Sequence, residues 1–523
     1  MKPSSRPGAR RAKLGSGHGG FNLEPMEARR LMAAVLDSPI QLPTDAQSAV
    51  VAGDQVIFYS SYGANAVTGG AYDPATGVFT PSVLPAPMAA GSTLGEGLFG
   101  INQGITTVGT KTFFAGGTIP HPNGSGGGIF ATVNTASIYD RSTALWSTVP
   151  LSTPRDGITA LTVGDKALFA GGYPASSAGG AFGSSDAVDI YDNTTGNWTA
   201  AHLSVPSQHV ASAVVGHRAY FFSNTYADRT ATLIDVFDAD TGRWSTIALP
   251  AGIAHVESAT AVGAKVIFLA HIPMTPGDFA SGSVTLKAEI YDTRTDRWTS
   301  NNLGTSFFFP NIGVVGDQAV FVGGNSPTRI ARVYSARTGT WSVSRPPKGL
   351  SPNSAISFVY RHQLVFARSG VMDFYNPATR KWSTVKLPIQ VGYNTVFQVV
   401  GQRIFAYATG PAAQGNDFHA YYGNGQVDVL TFVHSRDRLP PVVAVPASGA
   451  AMTQGRLAFA WSSTPRAKSY DVLIDDAVME TVTNNVWTPG YLSLGPGKHA
   501  VRVVAHRGRH TIQGLPSDFT ITG

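Results

Sequence analysis

The chain has 523 residues, 43% hydrophobic and only 13% charged, so it can bury extensive cores and is too long for a single one. It has no cysteine, which excludes disulfides, thiolate metal sites and cysteine nucleophiles. The formal net charge of +6 gathers at the ends: residues 1–30 hold seven Lys/Arg against two Glu, and residues 438–523 hold eight basic against five acidic groups. The middle of the chain is slightly acidic, so the basic balance gives no reason to expect nucleic-acid binding there.

In chain order, residues 1–34 read as a basic, disordered leader. Leu31–Leu36 is too short an apolar run for an ordinary signal peptide, and no run approaches the roughly 20 residues that span a bilayer. Within the leader, Phe21-Asn22-Leu23-Glu24-Pro25-Met26-Glu27-Ala28-Arg29-Arg30-Leu31-Met32-Ala33-Ala34 resembles the LEPR-XLL segment of large exported bacterial proteins, with Ala28 in place of the usual proline. The resemblance implies export and an extracellular or cell-surface location.

Residues 35–437 repeat. Val163-Gly164-Asp165-Lys166-Ala167-Leu168-Phe169-Ala170-Gly171-Gly172 is the clearest copy, and further copies begin at Ala52, Val108, Val215, Val262, Val315, Val359 and Val400. In the copy at Val359, Tyr360 is read as replacing the glycine. A second signature follows most starts, an aromatic residue seven positions before a tryptophan: Tyr139/Trp146, Tyr191/Trp198, Phe237/Trp244, Tyr291/Trp298, Tyr334/Trp341 and Tyr375/Trp382, with Tyr72/Phe79 as a variant. Each unit then reads as four short strands. A Val-Gly turn joins the first pair, with glycine supplying positive φ. An Asp-x-x-Thr-Gly turn joins the second pair, and the indole fills the widening gap between units. A single four-stranded sheet leaves both faces uncovered, so the sheets must stack around an axis.

These residues resemble the kelch repeat, which implies an all-β, kelch-type β-propeller and is nearly silent on activity. Eight blades are predicted, with seven as the alternative if one weak copy is a decoration. Val427-Asp428-Val429-Leu430 matches a third strand with no tryptophan strand after it. Ser38-Pro39-Ile40-Gln41-Leu42-Pro43 lines up with Ser245–Pro250 and Ser383–Pro388. Residues 38–43 are therefore predicted to supply the outer strand of the last blade and close the ring.

Residues 438–523 alternate in short runs around Trp461, Tyr470 and Val501-Arg502-Val503-Val504, which reads as a small immunoglobulin-like β-sandwich. Trp461 followed by Tyr470, and the Gly495-Pro496-Gly497 turn, resemble a fibronectin type III module. Both aromatics are assigned to its core.

The two propeller faces should differ. One carries only tight turns. The other carries the longer connections Ala86–Gln103, Thr118–Phe130, Tyr173–Asp186, Ile272–Gly282 and Thr409–Gln426, and long connections carry function more often than scaffolding. Arg155, Gln208, His209, His255, Glu257, Asn311, Asn353 and Asn394 fall near the inner-strand starts on that face, a polar set suited to hydroxyl-rich ligands. Tyr393, Tyr421 and Tyr422 are available to stack on a sugar. Enzyme motifs are scarce: HExxH, GxSxG and a phosphate-binding Gly-Lys-Ser/Thr loop are missing. A galactose-oxidase-like copper site needs a cysteine. The expectation is a monomeric protein- or glycan-binding molecule with no cofactor or metal. The alternative is a carbohydrate-active propeller enzyme, mutarotase-like, using Glu257 with His255 and Arg155.

Overall fold

The computed structural model describes the chain from Met32 to Thr522, apart from residues 37–39, 42–47, 60–67, 75, 77, 86–102, 121–129, 175–182, 225–232, 254, 272–285, 305–310, 324–329, 351–355, 369, 388–394, 402, 409–425, 435–442, 446–449, 454–456, 458, 462–463, 465–466, 490–491, 509 and 515. Its elements are strands throughout, and among the described residues no helix is long and apolar enough to cross a membrane.

Seven four-stranded antiparallel sheets follow one another, each ordered first, second, third, fourth strand. Blade 3 is representative: Thr159–Val163, Lys166–Ala170, Ser185–Asp192 and Trp198–Ser207. The eighth sheet takes three strands from Thr395–Val400, Arg403–Ala408 and Gln426–His434, and its outer strand from the beginning of the chain. Successive innermost strands pack together around the ring, and Ser48–Ala52 of blade 1 meets Thr395–Val400 of blade 8. The result is an eight-bladed β-propeller.

The closing strand departs from expectation. Met32–Leu36 pairs with Gln426–His434, Leu36 opposite Leu430, and the described residues of the predicted segment, Ile40 and Gln41, pair with Val427 and Gln426 of the same strand. The third strand of blade 8 runs on past the aromatic slot, held here by Leu430, as far as His434. The leading strand therefore extends backward to match it, and the propeller begins inside the segment assigned to the leader.

Each indole fills the seam with the preceding blade. Trp198 lies 5.9 Å from Phe113 of blade 2 and 5.7 Å from Phe169 of its own blade, and Trp146 and Trp382 donate their Nε1–H to Ser82 and Ser344 of the blade before. A leucine in or just after the outer strand of each of blades 1 to 6 (Leu84, Leu151, Leu203, Leu249, Leu303 and Leu350) is buried beside these seams. Hydroxyls and amides stitch neighbouring inner strands: Thr159 donates to the Val210 carbonyl, Ser357 to that of Ile312, and Gln398 to that of Ala49.

The Val-Gly turn of blade 2 needs glycine for two reasons. Gly109 sits at φ +60°, and a Cβ there would come within 2.6 Å of Asn193 in the next blade. Blade 7 is read differently from the sequence expectation. Tyr360, 1% exposed, takes the buried valine slot, and the turn residues are Arg361 and His362 at φ 47° and 57°.

The C-terminal residues form two sheets. One is ordered Val443–Val445, Phe459–Trp461, Val486–Trp487. The other is ordered Ala450–Thr453, Ser517–Thr522, Gly497–Arg507, Ser469–Ile474, Ala477–Val482, with His510–Gln513 added to Gly497–Arg507. They enclose one core around Trp461 and Tyr470, whose rings meet edge-on at 5.6 Å. The Tyr470 hydroxyl accepts the Thr464 amide, so both aromatics are structural.

Candidate functional site

The turn face is uniform. Lys111–Asp140, Lys166–Asp192 and Lys265–Asp292 pair across second and third strands at 2.5 Å, each fastening the turn that follows. The opposite face varies. Its second-to-third connection is a tight turn between Arg368 and Val371 in blade 7, spans His271 to Leu286 in blade 5, and spans Ala408 to Gln426 in blade 8.

Arg155 does not stand at the mouth of the channel. It is 0% exposed, and its guanidinium donates to the carbonyls of Gly171 (2.8 Å), Ala187 (2.5 Å) and Phe169 (3.1 Å) and to Asp189 (2.5 Å). The cause is a feature of the repeat: position two before the aromatic is a buried polar slot. Asp189, Asp235, Glu289 and Asp373 occupy it in blades 3, 4, 5 and 7, none more than 5% exposed. Each needs donors. Asp189 takes Ser152 as well as Arg155, Asp235 takes Ser204, Glu289 takes Ser300 and Asp373 takes Arg368 and Thr384. Burial pushes the Asp235 carboxyl up, against the opposing pull of the Ser204 bonds. Beside Arg155, burial likewise raises Asp156, whose Oδ1 lies out of contact with water and without a hydrogen-bond partner.

Blade 5 departs from the repeat at two places that meet. Counted from the buried phenylalanine of the second strand, Gly171-Gly172 after Phe169 corresponds to Ala270-His271 after Phe268. In blade 3 that glycine pair allows close contact with the connector: Gly172 N–H bonds the Ser207 carbonyl, and a Cβ there would come within 2.3 Å of the Asp156 carbonyl oxygen. In blade 5 the second position holds an imidazole, 8% exposed. Opposite it the ladder slips between Val256 and Ser258, so Glu257 is the extra residue of a β-bulge. Bulges re-aim side chains and collect at sites of function. Glu257 Oε2 lies 3.2 Å from His271 Nε2, with His255 directly opposite His271 in register. Sequence reading found Glu257 and His255 but missed His271, whose signal was the loss of the second glycine.

The other expected site residues do not converge on this pair in what is described. Gln208 is 8% exposed and donates to the Gly183 carbonyl at 3.2 Å. Asn311 opens the inner strand of blade 6, half-buried. His209 and His255 are placed by backbone register alone. Asn353, Asn394, Tyr393, Tyr421 and Tyr422 lie outside the described residues.

No family model and no curated protein matches the chain. Among solved structures, one titled "Structure of YjhT" aligns at 13% identity over 58% of this chain and 99% of that chain, with a TM-score of 0.35. The fold stands on the strand pairings rather than on this likeness.

Proposed function

We propose that the chain is an extracellular or cell-surface binding protein that holds a glycan or protein ligand on the face carrying the variable connections. The observation behind this reading is the contrast between faces: the same short turn recurs on one, while on the other nearly every blade differs in connection length and in the polar residues at its inner-strand start. Scaffold requirements are the same for every blade, so they account for the uniform face and not for the varied one. The kelch-like repeat fits such a platform. The leader's likeness to exported proteins supports the location, although Met32–Ala34 of that segment also belong to the closing strand. The order of the C-terminal sheets resembles a fibronectin type III module, a common spacer in exported proteins.

The test replaces residues 272–285 by Ser-Gly, the tight connection of blade 7, and compares parent and variant on a glycan array and on intact cells. We expect unchanged melting with loss of a signal that the parent shows. A parent silent on both, or a variant that binds like the parent, would contradict the reading.

A second reading, a carbohydrate-active enzyme, is favoured by the bulged Glu257 against the buried His271, a carboxylate–imidazole pair able to move a proton. Glu257→Gln separates the two. Sugar turnover or anomerisation abolished in the variant supports the enzyme, whereas binding retained without turnover in either form supports the binder.

A further inference from the structure

We propose that the two short turns of blade 7 form a binding site for an acidic polysaccharide, on the face opposite the variable connections. This goes beyond both readings above and depends on neither.

Blade 7 keeps the short turns of its face and changes what they carry. Its strands Ile356–Tyr360, Gln363–Arg368, Val371–Asn376 and Lys381–Lys386 pair in that order, so Arg361-His362 and Pro377-Ala378-Thr379-Arg380 turn at the same end of the blade. The turns lie two strand spacings, about 10 Å, apart. In blades 2, 3 and 5 the position of Gln363 holds a lysine, paired with an aspartate at the position of Asn376. Asn376 still caps its turn. Its Oδ1 accepts the Ala378 and Thr379 amides at 2.9 and 3.1 Å, as Asp192 accepts those of Thr194 and Thr195. The capping is retained and the negative charge is not. Each of blades 1 to 6 has at least one aspartate at these turns (Asp54, Asp140, Asp165, Asp238, Asp292 and Asp317), and blade 7 has none. It carries Arg361, His362, Arg380 and Lys381 instead, all exposed.

The arginines occupy backbone that favours glycine. Arg361, at φ 47°, replaces the glycine that the other seven blades have at this turn. Arg380, at φ 55°, stands where blades 3, 4 and 6 have Gly196, Gly242 and Gly339, although blades 2 and 5 hold Ala144 and Asp296 there. A side chain in the left-handed region costs free energy, so the scaffold gains nothing from either arginine, and such strain collects at functional sites. Arg361 Cζ lies 5.2 Å from the Tyr360 ring centroid, a cation–π contact that holds the guanidinium at the turn. Planar guanidinium forks match carboxylate and similar oxyanions. The turns contain no Phe, Tyr, Trp or large aliphatic residue. They therefore lack the anchors of a protein hot spot, the stacking platform of a single-strand nucleic-acid site and the apolar face of a membrane-surface segment. A chain of sugar acids needs none of these.

The experiment measures binding of the full chain by interferometry at about 0.15 M ionic strength. The surfaces are polygalacturonate, dextran sulfate, uncharged dextran, and vesicles of phosphatidylserine and phosphatidylcholine, and every variant is also melted. We expect the parent to bind at least one of the two acidic polymers, and dextran and the vesicles much more weakly. Arg361→Gly with Arg380→Gly should weaken that binding at least about tenfold, the scale of one charge-assisted hydrogen bond, and should melt no lower than the parent. Asn376→Asp, which restores the residue of blades 2 to 5, should also weaken it with melting unchanged. Arg243→Gln with Arg297→Gln removes two exposed charges from blades 4 and 5 and should leave binding as it is. The proposal is overturned if the parent binds neither acidic polymer, if it binds dextran or the vesicles as tightly, if the blade 7 variants bind like the parent, or if the blade 4 and 5 variant loses as much as they do.

Discussion

Removing the guanidinium of Arg155 strands the Asp189 carboxylate, 5% exposed, with only the Ser152 bonds. Breaking one side of a buried pair costs about 3–5 kcal/mol, whereas replacing both sides by apolar groups of similar volume is often close to neutral. Arg155→Met should lower unfolding free energy by that amount in a denaturant titration, and Arg155→Met with Asp189→Leu should recover most of it. A loss under about 1 kcal/mol, the scale of an exposed pair, would contradict this. The acid itself was legible, because Val188-Asp189-Ile190-Tyr191, Ile234-Asp235-Val236-Phe237 and Met372-Asp373-Phe374-Tyr375 repeat it. Its partner was not. Arg155 arrives from a connector far away in sequence, and a charged residue just before an inner strand looks like a channel-mouth group until its burial is known. His271 was legible only to a reader counting forward from Phe268, and the bulge at Glu257 leaves no mark in a sequence that alternates either way.

In the C-terminal sandwich, the hairpin turn Asp475-Asp476, at φ 50° and 63°, is tied to the neighbouring strand by His499. His499 Nδ1 lies 2.7 Å from Asp475 and Nε2 lies 2.8 Å from the Gly495 carbonyl, so the doubly protonated ring satisfies both as donor. The Asp475 bond, then the Gly495 carbonyl, hold His499 above its ordinary value of 6.5, and His499 with the Ala500 amide holds Asp475 below 3.8. A raised histidine contributes stability that is full below 6.5 and lost as pH climbs through its folded value. A lowered carboxylate contributes above 3.8 and loses it as pH falls through its folded value. Protection of the Ala500 amide, whose N–H bonds Asp475 at 2.9 Å, taken as its exchange rate relative to the intrinsic rate at each pH, should be greatest between those limits, with the loss of protection on the alkaline side absent in His499→Gln. Equal profiles in both proteins would refute the tie. Among the elements, the tryptophan strands were legible because an indole at fixed spacing has one use in a stacked ring. The closing strand was placed several residues late. Matching Ser38–Pro43 to other outer strands assumes a third strand of ordinary length, and the one in blade 8, Gln426–His434, continues past its aromatic slot.

At the scale of the molecule, repeat count and turn chemistry predicted eight blades, with seven as the alternative, since each unit exposes two faces that only neighbours can cover. The match of Ser38–Pro43 to other outer strands said which end of the chain shuts the ring but not the full extent of the pairing, which joins the two ends of a chain segment some 400 residues long. The claim on which the architecture rests is that Met32–Leu36 lies antiparallel to Gln426–His434. The chain has no cysteine, so an engineered pair reports on this contact alone. Ala34 and Phe432 are directly opposed, within the Cα separation a disulfide spans. In Ala34→Cys with Phe432→Cys, air oxidation of the folded protein should give one intramolecular crosslink, seen as a joined peptide by mass spectrometry and lost on reduction. Two free thiols in the native protein after the same treatment would contradict the closed ring.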